Sequence, residues 1–309
     1  MASAAPPYSH LPPVTSGIQP CDEDRDLPVT DKPLEGRVAI VTGSSRAGGI
    51  GRGICRVLGL DGAKVVVSDI GHALDDAPDY NVAGLGELGE AVEVLRSLGV
   101  DAIGVPCDVT KPAEVDALVA AAVAHYGRVD IFVNNAGVAM ESVEMIHVSE
   151  RGLSKTLDVN LKGTFFGMQS AARQMIAQGD GGRIINIASQ AGKLAWPLLS
   201  VYSASKFAVI GITQVAAKEL GARQITVNAV CPGTVDTPLS ASADGVWSMY
   251  ARYYGISEDE VKAATLSQIP LGRLQTPEDV GNCVAFLASD RGGYLTGTAI
   301  SSTGGQTMI

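Results

Sequence analysis

Seven short runs of apolar, largely β-branched residues recur after Glu35: RVAIVT (37–42), KVVVSD (64–69), DAIGVP (101–106), VDIFVN (129–134), GRIINIAS (182–189), QITVNAV (224–230) and TAISS (298–302). Their apolar positions are nearly continuous rather than alternating, the pattern of strands buried on both faces. Between the runs, apolar residues return at helical spacing, as in AEVDALVAAAVAHYG (113–127), where Val115, Leu118, Val119 and Ala122 share one face. Doubly buried strands joined through helices predict an α/β fold, a doubly wound parallel sheet of about seven strands in three α/β/α layers.

Three stretches depart from this rhythm. Residues 1–35 hold seven of the 15 prolines and six acids against two bases; such a composition cannot offset chain entropy by burial, which predicts a flexible or surface-hugging arm ahead of a single domain at 36–309. GHALDDAPDYNVAGLG (71–86) reads as an insertion after the second strand, and about 238–268, with VWSMYARYYGISEDEV, as a substrate lid. Long segments at the strand ends of such a sheet are where ligands are gripped.

The net charge of −10 repels nucleic acid and anionic membrane surfaces, leaving a small molecule as the expected partner. The five cysteines (21, 55, 107, 231 and 283) are scattered, with neither a CxxC nor a His-containing ligand spacing. Neither a disulfide framework nor a metal site is expected. With no secretory leader pattern and no apolar window of ~18 residues, cytoplasm is the expected compartment.

The first run enters a glycine-rich loop, TGSSRAGGIGRGI (42–54), at the start of a helix. Glycines there let the backbone approach a pyrophosphate, and the helix N-terminus offers free N–H groups. Asp69 closes the second run 18 residues beyond Gly51, where a carboxylate would bond the adenosine ribose. A carboxylate repels a 2′-phosphate, so NAD is preferred over NADP, with Arg46 as the counter-argument because a cation in the loop could accept that phosphate.

VYSASKFAVIGITQVAAKEL (201–220) has helical apolar spacing and sets Tyr202 and Lys206 four apart on one face. An ammonium beside a phenol favours phenolate, which makes Tyr202 a candidate acid/base. Ser189 ends the fifth run thirteen residues earlier, at the sheet edge where ligands of open α/β folds bind.

NNAG (134–137), Ser189, Tyr202-x-x-x-Lys206 and CPG (231–233), in this order from about Arg37 to the C-terminus, resemble the short-chain dehydrogenase/reductase family, built on the Rossmann fold. The resemblance implies that Tyr202 exchanges a proton with the substrate oxygen, that Ser189 bonds that oxygen, and that Lys206 lowers the Tyr202 pKa and holds the nicotinamide ribose. Asn160, in LDVNLKGTFFG, matches the family's anchor for a proton-relay water. Gly43, Ser45, Arg46, Gly49, Ile50 and Gly51 would form the phosphate loop. Asp69 and Ile70, then Asp108 and Val109, would meet the adenosine; Asn134 with Asn135, Ala136 and Gly137 would lie beneath it. Pro232, Gly233, Val235 and Thr237 would enclose the nicotinamide.

Two departures from the family pattern stand out. SSRAG (44–48) is two residues longer than the usual spacing and is expected to bulge outward, and Thr303 stands where an Asp commonly precedes paired glycines. Substrate choice is expected in the segments holding Gln190, Lys193, Leu194, Trp196, Leu198, Leu199, Trp247, Met249, Tyr250, Tyr253 and Tyr254, although aromatics at such spacings are more often packing of the lid than substrate contacts. The expected activity is an NAD-dependent secondary-alcohol dehydrogenase or carbonyl reductase acting on a polyol, diol or similar hydroxy compound, as a homotetramer or dimer. An NADPH-dependent 3-oxoacyl thioester reductase is the nearest alternative, and a non-catalytic dinucleotide sensor is an alternative of another class.

Overall fold

All seven runs are strands of one parallel sheet: β1 (Val38–Thr42), β2 (Lys64–Asp69), β3 (Ala102–Pro106), β4 (Ile131–Asn134), β5 (Gly182–Ile187), β6 (Ile225–Pro232) and β7 (Ala299–Ser302). The computed structural model describes residues 32–72, 85–242 and 245–309, all within the unit Asp31–Ile309. Most of the 1–35 arm and of the 71–86 insertion lies outside the described residues. The strand order is β3-β2-β1-β4-β5-β6-β7, so the chain reverses its direction of travel between β1 and β4. A crevice opens beyond the carboxyl ends of strands at such a reversal.

The helices, in chain order, are α1 (Ile50–Leu60), α2 (Leu85–Ser97), α3 (Pro112–Tyr126), α4 (Glu150–Leu157), α5 (Thr164–Gln178), α6 (Ser200–Leu220), α7 (Pro238–Ala241), α8 (Val246–Tyr254), α9 (Glu258–Ser267) and α10 (Pro277–Ala288). Successive strand residues face opposite layers. Ala39, Val41, Val65 and Val67 pack under Ile54 and Leu58 of α1, Leu88 of α2 and Val284 of α10. Ile40, Val66 and Phe132 pack under Leu118 of α3, Met175 of α5 and Ala217 of α6. That alternation explains the continuous apolar runs, since each side of the sheet needs its own residues.

Local chemistry sets the helix boundaries. Capping boxes start α9, through Ser257 and Glu260, and α10, through Thr276 and Asp279 with Pro277 behind the cap. Helix α1 is the contrast: Gly49 precedes it with no side-chain cap, and its first turn holds no acid. Its positive end is left for an anion from outside. Between α4 and α5 the chain winds as a π-helix over Asp158–Gly163, a widening that often marks functional sites.

Candidate active site

The crevice at the β1/β4 reversal is formed by two cavities of about 280 and 270 Å3 that share Ile50, Asn135, Gly137, Val138 and Thr237. The first is lined by Gly43, Arg46, Gly49, Ile50, Gly51, Asp69, Ile70, Asp108, Val109, Asn135, Ala136, Gly137 and Thr237. These are the expected residues on its wall; Cys107, Thr110, Val138, Met140, Lys155, Asp158, Val159 and Pro238 line it as well. The second holds Ser189, Tyr202 and Lys206 together with Pro232, Gly233 and Val235.

Gly48 has φ +68°, and the Gly49 N–H bonds the Arg46 carbonyl at 3.1 Å. Ala47 and Gly48 are therefore the corner of a β-turn whose third residue must accept a left-handed conformation. The outward bulge is smaller than expected: Ser44 and Ser45 are buried, and only 46–48 reach the surface. Ser44 turns inward because its hydroxyl donates to the Val41 carbonyl at 2.7 Å. The α1 end is pulled tight beneath the loop, where a Cβ on Gly51 would strike the Gly43 carbonyl, Asn135 Nδ2 and Ser44 Cα.

Three expected residues do not line the crevice: Ser45, Asn134 and Asn160. Asn134 is buried and spends its amide on Asn186 Oδ1 at 2.8 Å. Ser45 stands behind Asp69, donating from its N–H at 3.1 Å and its hydroxyl at 2.8 Å to Asp69 Oδ2. It thus holds the carboxylate at the cavity wall. Asn160, in the π-helix, is fully buried. Its Oδ1 accepts the Val138 N–H at 2.8 Å, and its Nδ2 donates to the Val138 carbonyl at 2.9 Å and to Ser205 Oγ at 3.0 Å. A Cβ placed on Gly137 would lie 3.3 Å from Asn160 Oδ1 and 3.4 Å from Lys206 Nζ, so a side chain there would crowd both.

Tyr202 and Lys206 lie one turn apart on α6, with Nζ 5.6 Å from the phenol ring centre. The Lys206 ammonium donates to the Ile187 carbonyl at 2.8 Å, and burial pulls its pKa down to about 8. Burial pushes the Tyr202 phenol up, and the Ser189 side chain works against that rise. The expected lowering by Lys206 is not what opposes burial here: the ammonium is engaged with Ile187 and is itself desolvated. At Asp108, burial would raise the carboxyl, yet two Thr110 hydrogen bonds and Lys111 overrule it and hold it low.

Of the substrate-segment residues, Gln190, Trp196, Leu199, Met249 and Tyr250 line the second cavity. Trp247 is packed inside, whereas Leu194, Tyr253 and Tyr254 are exposed. Lys193 points elsewhere, donating to the Ala299 and Ile309 carbonyls and to Ser301 Oγ. Sequence reasoning missed Cys107, Thr110, Val138, Met140, Lys155, Asp158, Val159 and Pro238 in the first cavity and, among others, Thr234, Val246 and Gln306 in the second. Cys107 and Thr110 flank the expected Asp108 and Val109, and Pro238 follows Thr237 at a helix start; Met140, Lys155 and Gln306 carried no such signal. Among the described residues no cluster of His, Cys, Asp and Glu could hold a metal, and no helix is long and apolar enough to cross a membrane.

The residues present fit a nicotinamide dinucleotide: an uncapped helix end under a glycine loop, a fixed carboxylate at the end of β2, and a tyrosine, serine and lysine at the far end of the crevice. A family model described as enoyl-(acyl carrier protein) reductase matches residues 43–307. The chain is 40% identical to a diacetyl reductase [(S)-acetoin forming] of Staphylococcus epidermidis, over 87% of this chain and 98% of that protein. It is 35% identical to galactitol 2-dehydrogenase of Agrobacterium fabrum, over 89% and 99%. It is 38% identical to a 3-oxoacyl-[acyl-carrier-protein] reductase of Staphylococcus aureus, over 87% and 98%. The chain therefore belongs to the short-chain dehydrogenase/reductase family, oxidoreductases that use NAD(P) and act on secondary alcohols and the matching ketones.

Proposed function

We propose that the protein is an NAD-dependent dehydrogenase/reductase of small secondary alcohols and ketones, with Ser189, Tyr202 and Lys206 as its catalytic residues. The observation that carries this reading is that all three lie on one cavity, which shares lining residues with the Asp69 cavity. When bound, the dinucleotide supplies or takes the hydride. The Tyr202 hydroxyl gives a proton to the carbonyl oxygen in reduction and receives it in oxidation, while Ser189 Oγ hydrogen-bonds the same oxygen. Lys206 holds positive charge beneath the phenol. Asn160 acts as a positioning residue through its hydrogen bonds to the Val138 N–H and carbonyl.

The Asp69 carboxylate supports NAD over NADP, because a 2′-phosphate would place negative charge against it. The relatives that reduce diacetyl and oxidise galactitol, as their names state, support small oxygenated substrates. Assembly as a homotetramer or dimer belongs to the same proposal. It is supported by exposed apolar side chains along α5 and α6, among them Phe165, Ile176, Phe207 and Val215.

Initial rates with diketones, hydroxyketones, polyols and 3-oxoacyl thioesters, each with NADH or NADPH in reduction and NAD or NADP in oxidation, test the reading. Turnover of the small compounds with the NAD pair is expected. Activity confined to NADPH and oxoacyl thioesters would replace it with the thioester reductase.

A further inference from the structure

The loop after β7 turns a carboxamide into the substrate cavity. Thr303 Oγ1 accepts the Thr307 N–H at 3.2 Å and donates to the Thr307 carbonyl at 2.9 Å, while Gly304 and Gly305 take φ +60° and +90°. This closed loop directs Gln306 at the cavity that holds Ser189 and Tyr202. Thr303, the departure from the family's Asp, is thus the residue that shapes it.

Gln306 Oε1 accepts from the Thr234 N–H at 3.2 Å, from Thr234 Oγ1 at 3.0 Å and from Gln190 Nε2 at 3.2 Å. A main-chain N–H can only donate, so the atom facing Thr234 is the oxygen and the amide cannot be flipped. Gln190 is anchored in turn by the Thr307 hydroxyl, which donates to its Oε1 at 2.8 Å. The other end of the Gln306 amide, Nε2 with two N–H groups, has no acceptor among the described residues. Trp196, on the same cavity, buries an indole N–H without a partner. The same cavity is lined by apolar Val138, Leu199, Val246 and Met249 as well as by polar residues. A buried indole N–H left unmet, on the same cavity as the half-buried Gln306 carboxamide, favours a ligand that brings an acceptor.

We propose that Gln306 is a specificity-determining residue that donates to a second oxygen of the substrate. The site would then select small molecules with two or more oxygen functions, such as diketones, hydroxyketones and polyols, over those with one. This rests on the secondary-alcohol reading above and narrows its substrate class. The carbonyl under attack is already served by Ser189 and Tyr202, so Gln306 contributes only where another oxygen is present. A donor fixed by three bonds to its own acceptor end costs little to orient when the substrate arrives.

The test compares kcat/KM for 2,3-butanedione and 2-butanone, which share a carbon skeleton and differ by one oxygen, in wild type, Gln306→Met and Gln306→Glu. NADH affinity from fluorescence titration reports that each variant keeps a folded cofactor site. Both variants are expected to lower the diketone-to-ketone ratio of kcat/KM by about 10- to 100-fold, the effect of one lost hydrogen bond in a buried site. A ratio within about twofold of wild type overturns the inference, whether the two activities fall together or neither falls, and leaves the alcohol-dehydrogenase reading standing. A wild type that reduces neither compound, yet reduces oxoacyl thioesters, overturns both.

Discussion

Ser45 donates two hydrogen bonds to a single oxygen of Asp69, and the other carboxylate oxygen takes the Ile70 N–H at 2.9 Å. The loop after β1 thereby fixes the carboxylate at the end of β2, and Arg52 braces the same loop by donating from Nε to the Ser45 carbonyl at 3.1 Å. Asp69→Ala is expected to lower kcat/KM with NAD by about 10- to 100-fold, the range for hydrogen bonds to a charged group. NADP should lose much less, so the NAD/NADP preference falls. Ser45→Ala should change the preference in the same direction by a smaller factor, because it loosens the carboxylate without removing it. Steady-state rates with both cofactors check this, and an unchanged NAD/NADP ratio in Asp69→Ala would remove the basis for NAD.

The strands were legible because a sheet covered on both faces needs apolar residues at every position, and KVVVSD marks β2 from end to end. Strand β6 runs on to Pro232, two residues past the apolar run, because Cys231 and Pro232 still pair with Ser301 and Ser302. Tyr202 and Lys206 were legible because one helical turn relates them. Pairings across the fold were not: nothing in the spacing of Ser45 and Asp69 says that one holds the other. The π-helix leaves no compositional mark, so Asn160 could be placed on a helix but not seen to spend its side chain on Val138 and Ser205. Gln306 lies in a loop with no periodicity, and only the fold brings it to Gln190 and Thr234.

Removing the Tyr202 hydroxyl tests the chemistry directly. Tyr202→Phe is expected to lower kcat by about 10²- to 10⁴-fold, the usual weight of a positioned proton donor, while cofactor affinity changes little. Ser189→Ala should lower kcat by a smaller factor. Wild-type turnover in Tyr202→Phe would rule out the tyrosine as the proton donor.

Lys206 gives a pH signature in stability. Burial lowers its folded pKa from the ordinary 10.5 to about 8. Between those values the unfolded chain binds a proton that the folded chain does not, so this group makes stability rise with pH across that window. Below about pH 8 the buried charge is a constant cost. Several thiols and Tyr126 are pushed up by burial and drive stability the opposite way, which makes the difference between wild type and Lys206→Met the useful quantity. Measured by urea unfolding of cofactor-free protein, wild type should gain on the variant by up to about 3 kcal/mol from pH 8 to 10.5. A flat difference would show that Lys206 is not desolvated.

The β-turn at Arg46–Gly49 depends on Gly48 at φ +68°. A Cβ there would also come within 3.2 Å of Pro238 Cδ, at the start of α7. Gly48→Ala is expected to cost about 1 kcal/mol, and Gly48→Val more, because a β-branched residue resists the left-handed region. Since Arg46, Gly49 and Pro238 all line the first cavity, KM for NAD should rise several-fold while kcat at saturating cofactor stays within about twofold. A fall in kcat with unchanged KM would place the turn's influence elsewhere.

A buried ladder joins the sheet to the helix that carries Tyr202. Asn134 Nδ2 donates to Asn186 Oδ1 at 2.8 Å, Asn186 Nδ2 donates to Thr213 Oγ1 at 2.8 Å, and Thr213 donates to the Val209 carbonyl at 2.7 Å. All three side chains are at most 4% exposed. Asn186→Ala removes the middle rung, leaving the Asn134 amide without its acceptor and the Thr213 oxygen without its donor, so the cost is that of stranded polar groups rather than of one bond. A loss of about 2–4 kcal/mol is expected in urea unfolding. Asn186→Ala combined with Asn134→Ala and Thr213→Val replaces the rungs with apolar groups and should recover part of that loss. Recovery of stability without full recovery of kcat would mean that the ladder also sets the height of α6, and with it the Tyr202 hydroxyl, above the sheet. A single Asn186→Ala as stable as wild type would mean that water satisfies the ladder and that α6 is held by apolar packing alone.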